Sequence, residues 1–427
     1  MVRDTVIVFE DEHYDGLYPI SYTRPSYHIL SGAKTNLQRI EHHFSDFNII
    51  AVCREELSAI FGAESGLKID QADSGRLILI NGRIVLTASD GELITELKSA
   101  NGPKAFVQGN TLVAAIIPPD SNKDFRYDLD KLHQSGGTER IADKIGDSVE
   151  VDVTLFHHIW EPMLINPKMI ESDFREYYSE NKGSTLPGDA HLYNSSDIYT
   201  AQAVTADAGS VIDAREGPII LEPGVEIKPM HFLEGPAYIG KNSRLVGGKT
   251  TGGCSLGEGC RIGGEVENSV IIGNSNKYHE GFLGHAYLGE WVNLGALTTN
   301  SDLKNNYTEI NVKIEGKLLR TGSIKIGSFI GDHSKTGIGT TLNTGLVIGV
   351  SSNLFGGTLI IEKEIPGFAW GNDGLRREYA LGKAVETAEV VLKRRGKQFD
   401  SNQQKLFKFI FEQSRKMRDG WIHGKRH

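Results

Sequence analysis

Between residues 277 and 306 the chain reads KYHEGFLGHAYLGEWVNLGALTTNSDLKNN. It places two histidines, His279 and His285, six residues apart, with Asn293, Asn300 and Lys304 downstream. An imidazole titrates near neutrality, so it can take or give a proton in a transfer reaction. Two histidines so close in sequence can also share a metal ion. Asparagines offer donors and acceptors to hydroxyl groups, and a lysine offers a mobile point charge. Each also has a plainer reading: a solvated loop histidine, an asparagine stacked in a ladder, a surface lysine. A second set lies near the start, in EDEHYDGLYPISYTRPSYHILSGAK. Arg24 and Lys34 there have the chemistry of phosphate ligands, a bidentate fork and a compact charge. Asp11, Glu12 and Asp15 precede them, and their charge is expected to repel a triphosphate.

The elements that must carry these residues differ along the chain. Of 49 glycines in 427 residues, 30 fall in 201–371, about 18% of that block. Within it aliphatic residues recur every sixth position: Leu221, Ile227, Leu233, Ile239, Leu245, and later Ile324, Ile330, Thr336, Leu342, Ile348, Leu354, Ile360. A period of six is neither that of an ordinary strand nor that of a helix. It predicts a solenoid with three flat faces per coil of ~18 residues, one aliphatic per face pointing inward and glycine easing the corners. Coils stacked this way hydrogen-bond at the ~4.8 Å strand spacing. The phase breaks at 274–287 and 301–323, which predicts loops leaving one face, the usual place for binding.

Residues 1–195 have another texture. DTVIVFE and LILINGRIVL read as buried strands, and 34–44 and 125–144 as helical or mixed, which predicts an α/β domain with a largely parallel sheet. Residues 185–200 read as a connection. The solenoid is expected over 196–371 and a helical tail over 372–427, with apolar residues at helical spacing (Ala380, Ala384, Ala388, Val391; Leu406, Ile410). From 374 onward there are 14 Lys and Arg against 6 Asp and Glu, so the tail carries about +8 and the body about −17. The expectation is a solvated helical pair on the solenoid end; the alternative is a basic patch for phosphate-bearing ligands or a membrane surface.

The net charge of −9 argues against nucleic acid as the main partner. No run of ~18 apolar residues suggests a membrane span, and the start lacks a secretory core, so a cytoplasmic location is expected. Three cysteines, Cys53, Cys254 and Cys260, make neither a disulfide framework nor a CxxC zinc motif.

The hexads resemble those of left-handed parallel β-helix acyltransferases, and 277–306 narrows the resemblance. It is similar to the acetyltransferase domain of the GlmU-like bifunctional sugar nucleotidyltransferase/acetyltransferases, whose signature runs H-x-x-Y-[LV]-G-D-x-x-[IL]-G-[DE]-x-x-N-[IFL]-G-A-G-T. The resemblance places His279 on the catalytic histidine, Phe282 on the tyrosine, His285 on the aspartate and Asn293 on the sugar-contacting asparagine. Asn300 and Lys304 fall where the family uses an asparagine and a lysine. Phe282, His285 and Leu297 depart from the pattern. It implies that His279 acts as general base in acetyl transfer from acetyl-CoA to an amino sugar phosphate, with His285 as the competing base. In residue type, His279, His285 and His333 also suit a metal site like that of β-helix carbonic anhydrases, but their spacing does not match.

LYPISYTRPSYHILSGAKTNLQRI resembles the start of sugar nucleotidyltransferases at Tyr18-Pro19-Ile20, Arg24-Pro25, Lys34 and Leu37. That implies a reaction of a nucleoside triphosphate (UTP or dTTP) with a sugar 1-phosphate, assisted by Mg2+, with Arg24 and Lys34 binding phosphates. The departures are an EDEHYDG stretch in place of the glycine loop, and Gly82-Arg83 where the family has a metal-binding Gly-Asp. A nucleotide-sugar-binding module without catalysis, and a single nucleotidyltransferase trimerised by its β-helix, are the alternatives. By the same resemblance a homotrimer is expected.

Overall fold

The computed structural model describes residues 4–62, 75–121, 125, 128–129, 131–180, 183–184, 186, 188–372 and 374–424. Parts of the expected helical stretch 125–144 (126, 127 and 130) and of the expected connection (185 and 187) lie outside the described residues. Two compact units are present. The first comprises 1–17, 23–29 and 34–158; the second comprises 18–22, 30–33 and 159–427.

In the first unit the two expected strands, Thr5–Phe9 and Leu77–Asn81, sit at the centre of a six-stranded sheet. Every residue of both is buried, which explains their unbroken apolar runs. Thr5–Phe9 pairs in parallel with Asn48–Val52 and with Leu77–Asn81. Thr111–Ile117, however, runs antiparallel to both its neighbours, so the sheet is mixed rather than largely parallel. Asn36–His43 is helical as expected; Thr35 and Gln38 close its start with a capping box. Gly137–Ile145 forms the other helix of the expected pair and packs Ile141 into the core under the sheet.

The second unit is built on the predicted parallel β-helix. One face carries nine stacked parallel strands from Ile198–Thr200 to Glu364–Ile365. A second begins with five strands ending at Asn276–Lys277 and continues through single bridges at Asn293 to Lys335–Thr336 and Asn353–Leu354. The third starts at His191–Tyr193, inside the stretch expected as a connection, and runs to Phe282–Gly284. The inward residues are the hexad aliphatics: Leu221, Ile227, Leu233, Ile239 and Leu245 are all 0% exposed, and Ile330, Leu342, Ile348 and Leu354 are each 1% exposed. Ile324 is the exception; it is exposed, and Ile326 is buried instead.

Glycine turns some corners as expected, with Gly209, Gly224, Gly259, Gly264, Gly339 and Gly345 at left-handed φ, and serves another purpose elsewhere. Gly240, Gly257, Gly289, Gly331 and Gly349, which follow the repeated aliphatic, are absent from the left-handed region. They are small because coils stack closely: a Cβ on Gly240 would lie 2.6 Å from the backbone of Gly257. Two residues after each of these glycines the left-handed corner falls, on Asn242, Gly259, Trp291, His333 and Ser351.

The two phase breaks also differ from each other. Between the rungs Thr299–Asn300 and Ser328–Ile330 the chain makes a long excursion holding an antiparallel hairpin, Asn311–Ile314 with Lys317–Arg320. This is a loop leaving the solenoid, as predicted. The 274–287 break is not a loop. Asn276 pairs with Arg261 only 15 residues earlier, so the break is a shortened coil.

Among its described residues the tail forms three helices rather than two, Leu381–Lys393, Ser401–Gln413 and Arg415–His423. Its apolar face packs on the solenoid. Trp421 joins the solenoid core, and Phe399 and Phe407 meet the ring of His333 edge-on. No helix among the described residues is long and apolar enough to cross a membrane.

Candidate functional site

The second face of the solenoid presents a column of outward side chains, one per coil. Register places Arg244, Arg261, Asn276, Asn293, Lys335 and Asn353 on consecutive rungs. Alternation makes the next residue on each rung point inward, and Leu245, Ile262 and Leu294 do so. At Asn276–Lys277 the inward residue is a lysine. Lys277 is 1% exposed, and its Nζ donates to the backbone carbonyls of Gly263 and His279. Burial pushes its pKa down to about 8. An ammonium inside an aliphatic core is costly unless hydrogen-bonded; here it pins the carbonyl of the residue expected to be the base.

His279 itself is exposed and lines a cleft of about 790 Å³ over this column. Asn276, Asn293 and Lys335 also line it, with Arg261 at one side. The opposite wall is the end of the first tail helix, Val391 with Arg394 and Arg395. Arg395 donates to the carbonyl of Gly259 and to Oδ1 of Asn276, both at 3.2 Å. Burial, then the neighbouring Arg261 and Arg394 charges, lowers its pKa. Lys335 Nζ donates to the His333 carbonyl at 2.8 Å, and burial brings its pKa down to about 8.

The structure therefore brings His279 and Asn293 together. The remaining expected site residues of the solenoid lie elsewhere. Asn300 is buried at 2% exposure, its amide spent on both backbone groups of Gly284 at 2.8 Å. Phe282 is half-buried, and its backbone N–H meets Thr299 Oγ1. Lys304 sits at the start of the excursion and donates to the carbonyl of Glu309 at 2.6 Å.

His285 occupies a left-handed corner with φ 47°. It is buried, and its Nδ1 lies 2.7 Å from Asp302 Oδ2. Burial works to raise the Asp302 pKa, but the His285 hydrogen bond and charge hold it low.

Sequence reasoning did not find Arg261, Lys335, Arg394 or Arg395 as site residues. The signal was present in part: 335 follows the long phase break in register, and the tail is basic. Their convergence depends on the tail folding back.

In the first unit Arg24 is buried and Lys34 half-buried. The expected repulsion of a triphosphate does not hold at Asp11. That carboxylate is 1% exposed. Arg83 forks onto it, Nε to Oδ1 at 2.8 Å and Nη2 to Oδ2 at 2.5 Å, and Asn81 donates at 2.9 Å. Burial alone would raise the Asp11 pKa; Arg83 holds it below the usual range. Beside it Glu10 pairs with Arg54 at 2.6 Å. Arg83 is fully buried and donates also to the carbonyl of Phe156.

The resemblance implies Mg2+ at this strand end. The residues do not fit one. The family's carboxylate is replaced by a guanidinium, and the nearest carboxylate, Asp11, already has its charge matched by that guanidinium. A dication placed there would face a buried cation.

Comparison with known proteins follows the same division. A family model described as sugar nucleotidyl transferase matches residues 6–181. The chain is 25% identical over 310 residues to the bifunctional protein GlmU of Herminiimonas arsenicoxydans, covering 63% of this chain and 64% of that one. It is 35% identical over 96 residues to a bifunctional sugar-1-phosphate nucleotidylyltransferase/acetyltransferase of Sulfurisphaera tokodaii, covering 22% and 24%. A GlmU of Methanococcus aeolicus is 32% identical over 162 residues, covering 35% and 37%. The chain thus spans from about a quarter to under two thirds of the length of these curated relatives. With a sugar nucleotidyl transferase match at its front and GlmU relatives reaching into its solenoid, the chain is similar to the GlmU-like sugar nucleotidyltransferase/acetyltransferases.

Proposed function

We propose that the protein is a transferase of sugar-nucleotide biosynthesis, and that its solenoid cleft acetylates an amino sugar phosphate with acetyl-CoA. The observation that carries this reading is the joint presence of His279 and Asn293 in one cleft walled by four cationic side chains. In the reaction the sugar amine attacks the thioester carbonyl. The N–C bond forms, His279 takes the proton from nitrogen, the C–S bond breaks, and the thiolate leaves to be protonated as free CoA. Asn293 holds a sugar hydroxyl or the incoming acetyl group. Lys277 acts through the backbone, holding the His279 carbonyl in place.

The N-terminal unit is read as the partner activity, joining a sugar 1-phosphate to UTP or dTTP with release of pyrophosphate. Arg24 and Lys34 are its phosphate ligands in this reading. A second reading has one specific observation in its favour. The Asp11–Arg83 pair occupies the strand end where the family holds its metal, which favours a unit that binds nucleotide sugar without turning it over. Leu297 and Ile338, at 57% and 75% exposure, flank the cleft side of the solenoid; burial against second copies in a homotrimer accounts for them. The protein is placed in the cytoplasm on the same reading.

Thiol release from acetyl-CoA in the presence of glucosamine 1-phosphate is the direct test. His279→Ala is expected to lower kcat by roughly 10²–10⁴-fold, the usual worth of a general base; an unchanged rate would remove His279 from the mechanism. Pyrophosphate release across several sugar 1-phosphates, with and without Mg2+, separates the two readings of the N-terminal unit.

A further inference from the structure

Lysines of the solenoid sit in contrasting surroundings. Outward lysines with an acidic neighbour are held as ammonium ions. Lys228 lies 2.9 Å from Glu226 and Lys249 lies 2.8 Å from Glu265, and these hydrogen bonds raise both pKa values. Lys277 has its pKa lowered by burial to about 8, but it is 1% exposed and its Nζ is spent on the carbonyls of Gly263 and His279. Lys335 combines the same lowered pKa with access, because it lines the cleft that holds His279 and Asn293. Among the described residues no carboxylate stands within ion-pair distance of it, and none lines the cleft.

The cleft therefore presents an amine as well as an ammonium. At pH 7.5 a lysine with a pKa of about 8 is neutral in about a quarter of molecules, against about a thousandth for an ordinary lysine. That is ~200-fold more nucleophile. By the dependence seen for thiols, a group this much less basic attacks ~tenfold more slowly, which leaves a net gain of ~tenfold or more. The nitrogen is also held in place. Nζ donates to the His333 carbonyl at 2.8 Å, a bond that the neutral amine keeps because it still has N–H groups to give. Among the described residues Nζ has no other hydrogen-bond partner, so its lone pair is open to the cleft. Register puts Lys335 one rung from Asn293 and two from Asn276, ~5 and ~10 Å along the face.

We propose that Lys335 is itself an acetyl acceptor: acetyl-CoA held in the cleft acetylates its Nζ when no sugar amine is there to compete. This rests on the reading of the cleft as an acetyl-CoA site. The neutral Nζ attacks the thioester carbonyl and the N–C bond forms. The C–S bond breaks with its electron pair going to sulfur, the nitrogen sheds a proton to water, and the thiolate leaves to be protonated as free CoA. The product is a neutral amide, so the modification withdraws a cation from the cleft and adds bulk to it. Acetyl-CoA without an acceptor thus closes the site it occupies.

The full chain incubated with acetyl-CoA and no sugar, then mapped by peptide mass spectrometry, tests this. Lys335 is expected to gain acetyl about tenfold or more faster than Lys397, which is exposed and has its Nζ 5.5 Å from the ring centroid of the cleft residue Trp291. The same incubation should release thiol up to stoichiometry with the chain, and Lys335→Arg should abolish that release. The wild-type map stands whether or not the variant folds. Acetylation of Lys335 no faster than that of Lys397, or acceptor-free thiol release unchanged in Lys335→Arg, overturns the proposal. Adding glucosamine 1-phosphate separates it from the sugar reading. Lys335 acetylation without sugar-dependent turnover keeps the acceptor lysine and sinks sugar acetylation; sugar-dependent turnover with Lys335 unmodified in the sugar-free incubation does the reverse.

Discussion

Lys335 makes a prediction in which stability and binding move in opposite directions. Its side chain is half-buried along the cleft wall, and burial lowers its pKa from 10.5 to about 8. At about 1.4 kcal/mol per pH unit, keeping it charged in the folded protein costs about 3 kcal/mol. The hydrogen bond to the His333 carbonyl at 2.8 Å is lost in Lys335→Met, which gives back ~1–2 kcal/mol. Methionine keeps the aliphatic length, so packing is retained. The net expectation is that Lys335→Met is more stable at pH 7 by ~1–2 kcal/mol, while it loses a cation from the cleft and binds phosphorylated ligand more weakly.

The sign with pH follows from linkage. Between about 8 and 10.5 the unfolded chain holds a proton on Lys335 that the folded chain has released. The unfolded state binds more protons there, so wild-type stability rises with pH through that window relative to Lys335→Met. Urea denaturation of both proteins from pH 7 to 10 reads this: the two midpoints should converge as pH rises. Affinity for glucosamine 1-phosphate should fall over the same range as the ammonium is lost. A variant less stable than wild type at pH 7, or a stability gap that does not change with pH, would refute the reasoning, because either would mean that Lys335 is not a buried charge held at a cost.

Two further outcomes are expected. Arg83→Ala leaves Asp11 buried without its partner and should cost about 3–5 kcal/mol in urea unfolding, whereas the double change Asp11→Leu with Arg83→Met should recover most of it; equal losses in both would contradict the pairing. Tyr287 donates its hydroxyl to the carbonyl of Leu30 at 2.9 Å and accepts from the Leu30 N–H at 3.0 Å, so Tyr287→Phe strands two buried backbone groups and should destabilise by about 2 kcal/mol. A change below about 0.5 kcal/mol in the same assay would mean that water replaces the hydroxyl.

The solenoid was legible because it is locally periodic: each inward aliphatic is buried by its own neighbours in the stack, so the burial requirement recurs in sequence every six residues. Ile324 shows the limit. It kept the phase by coincidence, inside an excursion that had already left the coil. The break at 274–287 shows another. A shortened coil and an inserted loop disturb the phase alike, and only the pairing of Arg261 with Asn276 separates them. Glycines were expected for their backbone freedom, and Gly224 and Gly259 use it, but Gly240 and its repeats are needed for closeness to the next coil, a constraint between residues a full coil apart in sequence.

For the candidate site, the resemblance named His279 and Asn293 together with Phe282, His285, Asn300 and Lys304, and of these only the first two line the cleft. It could not separate them from Asn300 and His285, which are equally near in sequence but point into the stack or sit at another corner. Nor could it place Arg394 and Arg395, since more than a hundred residues separate them from Arg261 and only the docking of the tail joins them. Arg83 read as the loss of a metal ligand; the fold shows its charge answered by Asp11, 72 residues away. What repeats locally, the scaffold and one strip of its surface, was written in the sequence. What depends on charge meeting charge across the fold was decided by tertiary structure, because Coulomb and desolvation energies depend on distance in space and on burial, and neither is encoded in the order of the residues.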